Sequence, residues 1–113
     1  MSDWEKLKEG INKGFYLRNL YELAELCRKI GPKTKIPLVL FTFRGIFLGL
    51  SSKWEGNPLE VEEEKEVRLA LINPMLEIIT LMEGIEQPGE IFVKLNELVI
   101  RYDQCFSKSK NQQ

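Results

Sequence analysis

Residues 37–54, PLVLFTFRGIFLGLSSKW, decide the fold class, because this mostly apolar stretch fits either one helix or a β-hairpin. As a helix it begins with Pro37 in the first turn and is apolar on nearly every face. As a hairpin, residues 38–50 form two strands around the dipeptide Arg44-Gly45. We favour the helix, because apolar and polar residues do not alternate and an isolated two-stranded ribbon is only marginally stable.

Two helical pieces are predicted before this segment. Ser2 and Glu5 have the spacing of a capping box, which satisfies free backbone amides at a helix start. The apolar periodicity changes phase between Gly10 and Gly14, and each glycine weakens a helix by about 1 kcal/mol relative to alanine. We therefore expect a break or bend there, followed by a second helix that ends before Pro32.

Two further helices are predicted after it. Asn57 and Pro58 form a start signal, with asparagine as the cap and proline at the first helical position. Residues 67–82 of the helix that follows are apolar on most sides and are expected to be the most buried part of the chain. Pro74 removes a backbone donor, so it either kinks this helix or restarts it. The last helix begins at Pro88 and has the most regular amphipathic pattern.

These segments predict an all-α fold, a compact bundle of four to five helices, with the hairpin at residues 38–50 and an α+β fold as the alternative. The chain has 113 residues, of which 43% are apolar, enough for one domain with its own core. We assign residues 1–106 to this domain and residues 107–113 to a flexible polar tail.

The composition gives no support for catalysis, a cofactor or a metal site. The chain has no histidine, which removes the commonest general base and the commonest metal ligand. No nucleotide-binding or zinc motif is present, and the acidic run at residues 60–66 lacks the turn glycine of a calcium loop. Cys27 and Cys105 fall on apolar helical stripes and are expected to be free thiols.

The sequence also favours a cytoplasmic protein without a membrane span. Its first ten residues are charged and lack the apolar stretch of a secretory signal. The longest apolar run, residues 36–50, is shorter than the roughly 18 to 20 residues that a membrane span requires.

Five residues stand out as candidates for binding a ligand or a partner. If residues 37–54 are helical, Gly45 and Gly49 lie on a face of small residues that another backbone can approach closely. Arg44 is the one charge inside the apolar run, so we expect it to pair with a carboxylate, for which Glu77 is a candidate, or to reach water. Tyr102 on the last helix is the fifth candidate.

We predict a non-catalytic helical interaction protein, either a homo-oligomer such as a homodimer or a small adaptor for another protein. Residues 1–56 carry 10 basic and 6 acidic side chains and residues 57–113 carry 6 and 11, so the two halves can attract one another. The alternative is a carrier of a small apolar ligand, held in an interhelical pocket and oriented by Arg44 and Tyr102. A nucleic-acid-binding adaptor is the third reading, weakened by the near balance of charges and the absence of a base-reading module.

Overall fold

Five α-helices form the fold of the computed structural model, which describes residues 2–56, 61–84 and 88–111, with side chains for residues 2–54, 64–84 and 88–105. The helices are α1 (Asp3–Asn12), α2 (Leu20–Ile30), α3 (Pro37–Gly56), α4 (Val61–Glu83) and α5 (Pro88–Asn111). Single 3₁₀ turns at Leu17–Asn19 and Gly31–Lys33 connect α1 to α2 and α2 to α3. The described residues contain no strand, so the predicted all-α bundle is confirmed.

Helix α3 shows that the alternative of a hairpin at residues 38–50 is wrong, because the segment forms one continuous helix. Four large side chains of α3 are at most 2% exposed: Phe43, Phe47, Leu50 and Trp54. In a helix all four lie on one side, whereas in a strand the odd-numbered and even-numbered residues would lie on opposite faces.

The predicted break after the first helix is confirmed and is centred on Gly14. Helix α1 begins at a capped end, where the Ser2 hydroxyl oxygen accepts a hydrogen bond from the backbone N–H of Glu5 at 3.2 Å. It ends at Asn12, and Gly14 then adopts φ +88°. Glycine enters this left-handed region at little cost, so the chain can turn sharply toward α2.

Helices α1 and α4 are antiparallel and are joined at both ends by polar side chains. At one end the Trp4 indole N–H donates to the Glu83 carboxylate at 3.0 Å. At the other end the Arg68 guanidinium donates to the carbonyl oxygen of Gly14 at 2.9 Å. The start of α1 therefore lies beside the end of α4.

Helices α3 and α5 pack on different neighbours. Phe15, next to the turn that Arg68 holds, packs edge-to-face on Phe47 with ring centroids 5.4 Å apart, so the middle of α3 lies near this turn. Helix α3 also packs along α2. Helix α5 packs against α4 as the second arm of a helical hairpin, with Lys94 and Glu77 3.2 Å apart.

Helix α4 continues through Pro74, so the predicted restart at this residue is wrong. The apolar part of α4 supplies four buried core residues, Leu71, Met75, Ile78 and Ile79. The start signal at Asn57 and Pro58 lies outside the described residues. Helix α5 is helical as far as Asn111, within the segment predicted as a tail. In the described parts of the chain, no helix combines the length and apolar character needed to cross a membrane.

Candidate interaction surface

The outer side of α3 is apolar and faces solvent. Leu38 is 54% exposed and Phe41 is 49% exposed, both on the side of the helix away from its core residues. Gly45 lies one turn after Phe41 and just before Leu48. A Cβ built on Gly45 has no heavy atom of a neighbouring side chain or helix within 4 Å. Gly45 therefore forms an open notch in an exposed apolar face, where neither a turn nor a neighbouring side chain requires glycine.

The outer side of α5 is also apolar. Its inner side contributes Ile91, Leu95 and Leu98 to the core. On the opposite side Phe92 is 45%, Val93 59% and Ile100 47% exposed, in a face two turns long. Helix α5 thus has two apolar sides, of which only one is covered by the rest of the described chain.

The contact between Gly49 and Tyr102 joins α3 to the inner side of α5. A Cβ built on Gly49 would overlap the Tyr102 hydroxyl oxygen, so the tyrosine occupies the space that a larger residue at position 49 would need. Tyr102 lies one turn after the buried Leu98, on the side of α5 that packs against the core.

We call the exposed apolar sides of these two helices the α3/α5 face and define it by six residues: Leu38, Phe41, Gly45, Phe92, Val93 and Ile100. It holds five of the eight large hydrophobic residues that are exposed in the described chain. The other three are Tyr16, Tyr21 and Leu69. A concentration of this kind, unlike scattered exposed leucines, is typical of an interaction site.

The two helices of the α3/α5 face differ in charge. Residues 26–54, which include nearly all of α3, contain six basic residues and no acidic one, and the surface of α3 carries the exposed Arg44. The side of α5 toward α4 carries both signs, since the exposed Glu90 and Glu97 lie beside Lys94 and the exposed Arg101. Glu77 and Glu97 raise the pKa of Lys94.

Arg44 reaches solvent at the side of α3 nearest to α2. The hydrogen bond from Arg28 is the main cause of the lowered pKa of Glu25 on α2, and the charge of Arg44 makes a smaller contribution in the same direction. Of the two alternatives expected for Arg44, its exposure agrees with the one in which it reaches water, and the Glu77 carboxylate pairs with Lys94 across the α4–α5 hairpin. Of the five candidate residues, the structure brings Gly49 and Tyr102 into contact and places Arg44 and Gly45 on the surface of α3.

Three residues of the face, Phe92, Val93 and Ile100, are absent from the sequence-based candidates. The pattern contains a signal for them, because residues 92 and 99 and residues 93 and 100 are apolar pairs seven positions apart. Phe92 is exposed and Val99 is half-buried, so these pairs mark a second apolar stripe of α5 beside the one that forms the core.

A second group of polar and aromatic residues surrounds Tyr16. The Arg68 guanidinium lies 4.6 Å from the centre of the Tyr16 ring, and its Nε is 3.9 Å from the Glu64 carboxylate. Together with the bond to Gly14, these contacts fasten α4 to the turn after α1. An open depression of about 580 Å³ lies beside them, and Arg18 and Glu64 are among its lining residues.

The described depressions give no specific support for an apolar-ligand carrier. This depression and two others, between α4 and α5 and between α1 and α4, are open to solvent, and each has at least two charged side chains in its lining. The carrier stays a prediction.

The described side chains include no group of three or more residues that could hold a metal ion. Neither cysteine is in a disulfide bond, and Cys27 is buried. Desolvation raises the pKa of the Cys27 thiol to about 12, so it is protonated at neutral pH and behaves as a core residue.

No protein-family model matches this chain, and no significant match exists among curated proteins or solved structures. Function is therefore inferred from the surfaces and contacts of the chain itself.

Proposed function

We propose that this protein is a non-catalytic interaction protein that forms a homodimer through the α3/α5 face. The observation that carries the proposal is the group of five large hydrophobic side chains, each 45–59% exposed, on two helices of one small domain. A second copy is the occupant that we propose, because the exposed apolar area suits a dimer.

The exposed area fits a dimer of moderate size. With roughly 150–200 Å² for each of these side chains, about half of it exposed, the five present about 400–500 Å² of apolar surface. Two copies would together bury about 900 Å² of it, and a polar rim would bring the total near the lower end of standard interfaces, about 1,200 Å². At about 25 cal/mol/Å², burying this apolar area contributes about 20 kcal/mol of favourable free energy, before the costs of association are subtracted. A dimer with a micromolar Kd needs a net binding free energy of about 8 kcal/mol, so the area is sufficient.

The test compares two lysine substitutions at equally exposed positions. Val93, 59% exposed, lies in the α3/α5 face, and Leu69, 58% exposed, lies on α4 outside it. We expect the wild type and Leu69→Lys to sediment as dimers at tens of micromolar, and Val93→Lys to sediment as a monomer with an unchanged circular dichroism spectrum.

A wild type that is monomeric at about 100 µM contradicts the proposal. So does an equal loss of association in both lysine variants, because that would assign the effect to added charge and not to the face.

A further inference from the structure

We infer that the exposed corner where α2 meets α3 docks on the surface of an anionic lipid membrane. We call it the basic corner and define it by seven residues, all of them exposed: Arg28, Lys29, Lys33, Lys35, Leu38, Phe41 and Arg44. Docking of this kind is a peripheral contact with lipid headgroups, and it does not require the homodimer.

The charge of this corner is strongly positive. Residues 25–48 contain five basic side chains and one acidic side chain, Glu25, a balance of +4. The hydrogen bond from Arg28 is the main cause of the lowered pKa of Glu25, and the charges of Lys29 and Arg44 lower it further. Helices α2 and α3 therefore bring these three cations close enough to act on one carboxylate, which cannot neutralise them all.

The connection between the two helices adds two more cations. Lys33 ends the 3₁₀ turn Gly31–Lys33, and Lys35 follows it before the start of α3. Neither lysine forms an ion pair with any side chain that the structure describes. The first turn of α3 contains no acidic residue either, so the positive end of its helix dipole is left uncompensated there.

Two apolar side chains project among these cations. The Phe41 ring is 49% exposed and lies 3.5 Å from a Cβ built on Gly31, the first residue of the same turn. The Thr34 hydroxyl donates to the Gly31 carbonyl oxygen at 2.7 Å, which fixes the turn beside the ring. Leu38, 54% exposed, precedes Phe41 by one turn on the same side of α3, and Arg44 follows it by one turn.

The combination of charge and apolar surface favours a membrane over other anionic partners. Phenylalanine and leucine side chains can enter the boundary between headgroups and acyl chains, while neighbouring lysines keep their ammonium groups among the phosphates. A nucleic acid offers phosphates and stacked bases but no apolar layer for Leu38. An acidic protein would need a pocket shaped for both apolar side chains, whereas a fluid lipid surface adapts to them.

Leu38 and Phe41 also belong to the α3/α5 face, so a copy that is docked on lipid cannot use them in the homodimer. Binding to vesicles is therefore measured by co-sedimentation at about 0.1 µM protein, below the micromolar Kd considered for the dimer. Each basic side chain near an anionic surface raises the partition coefficient by about fivefold. We expect phosphatidylcholine vesicles with about 30% phosphatidylserine to bind the protein at least a hundredfold more tightly than pure phosphatidylcholine vesicles.

Two matched pairs of variants locate the contact. Lys33→Glu combined with Lys35→Glu should lower the partition coefficient at least 25-fold. The control combines Lys65→Glu with Arg101→Glu, which changes the net charge equally at exposed positions of α4 and α5, and it should have less than a fivefold effect. Circular dichroism checks that each variant is folded.

The second pair tests the apolar contact. Phe41→Ala should lower the partition coefficient about tenfold, whereas Phe92→Ala, at a position that is 45% exposed on α5, should leave it unchanged. Equal losses within either pair overturn the assignment to this corner, and so does a wild type that binds neither kind of vesicle or both equally. Binding of a single-stranded RNA oligonucleotide without binding of vesicles also overturns it, in favour of a nucleic acid.

Discussion

Replacing Gly45 with alanine should raise the free energy of unfolding of the monomer, whereas the same replacement at Gly49 should lower it. Both glycines lie within α3, and neither has the positive φ that excludes alanine. A Cβ at position 45 has no neighbouring atom within 4 Å, so alanine there causes no steric clash. The higher helix propensity of alanine should therefore raise the free energy of unfolding by about 0.5–1 kcal/mol. For a domain of about 100 residues this corresponds to an increase in Tm of roughly 2–8 °C.

At position 49 the new Cβ overlaps the Tyr102 hydroxyl oxygen and lies 3.2 Å from its Cζ. Helix α5 must move or the tyrosine must change rotamer, which costs about 1–3 kcal/mol for an overpacked contact. This cost exceeds the gain in propensity, so Gly49→Ala should be destabilising. Tyr102→Phe removes the overlapping oxygen and should recover part of the loss in the double variant.

The assay is urea denaturation followed by circular dichroism, performed in the Val93→Lys background so that dimerisation does not contribute to stability. The reasoning is refuted if Gly45→Ala destabilises the fold or if Gly49→Ala leaves it unchanged. A loss of stability in Gly45→Ala would mean that another part of the chain fills the space at position 45. An unchanged stability in Gly49→Ala would mean that Tyr102 does not lie against Gly49.

Three further predictions concern the core and its polar contacts. Arg68→Met removes the part-buried hydrogen bond to the turn after α1 and should cost about 1–3 kcal/mol, measured by urea denaturation. The hydrogen bond from Lys8 lowers the pKa of Glu83, so its stabilising effect should be present above the ordinary carboxyl pKa of 4.5 and be lost as the pH falls below it. Thermal melts from pH 6 to pH 3 should therefore fall less steeply for Glu83→Gln than for the wild type. Because Cys27 is buried with a pKa of about 12, only one of the two thiols should react with iodoacetamide in the folded protein at pH 8, as read by mass spectrometry.

The sequence was sufficient to predict the class of fold because its strongest signals are local. The absence of alternation in residues 37–54 distinguished a helix from two strands, and the change of phase near Gly14 marked the break after the first helix. Each depends on neighbouring residues and backbone conformation alone, which the order of residues specifies directly.

The candidate surface depended on contacts that are distant in sequence, so only part of it could be predicted. The small residues of α3 were recognised, but the partner of Gly49 is a side chain 53 positions away, and it leaves Gly45 open. Apolar periodicity also showed that α5 is amphipathic without showing which of its two apolar sides has a neighbour. Glu77 illustrates the same limit, because its partner Lys94 is determined by how α5 packs on α4.

Intermolecular nuclear Overhauser effects in a mixture of ¹³C-labelled and unlabelled protein test most directly whether the α3/α5 face joins two copies. The methyl groups of Leu38, Val93 and Ile100 should show contacts to unlabelled chains, and those of Leu69 should show none. Contacts between chains that involve Leu69 and exclude these three residues, or the absence of any such contact at millimolar concentration, would contradict the proposed dimer.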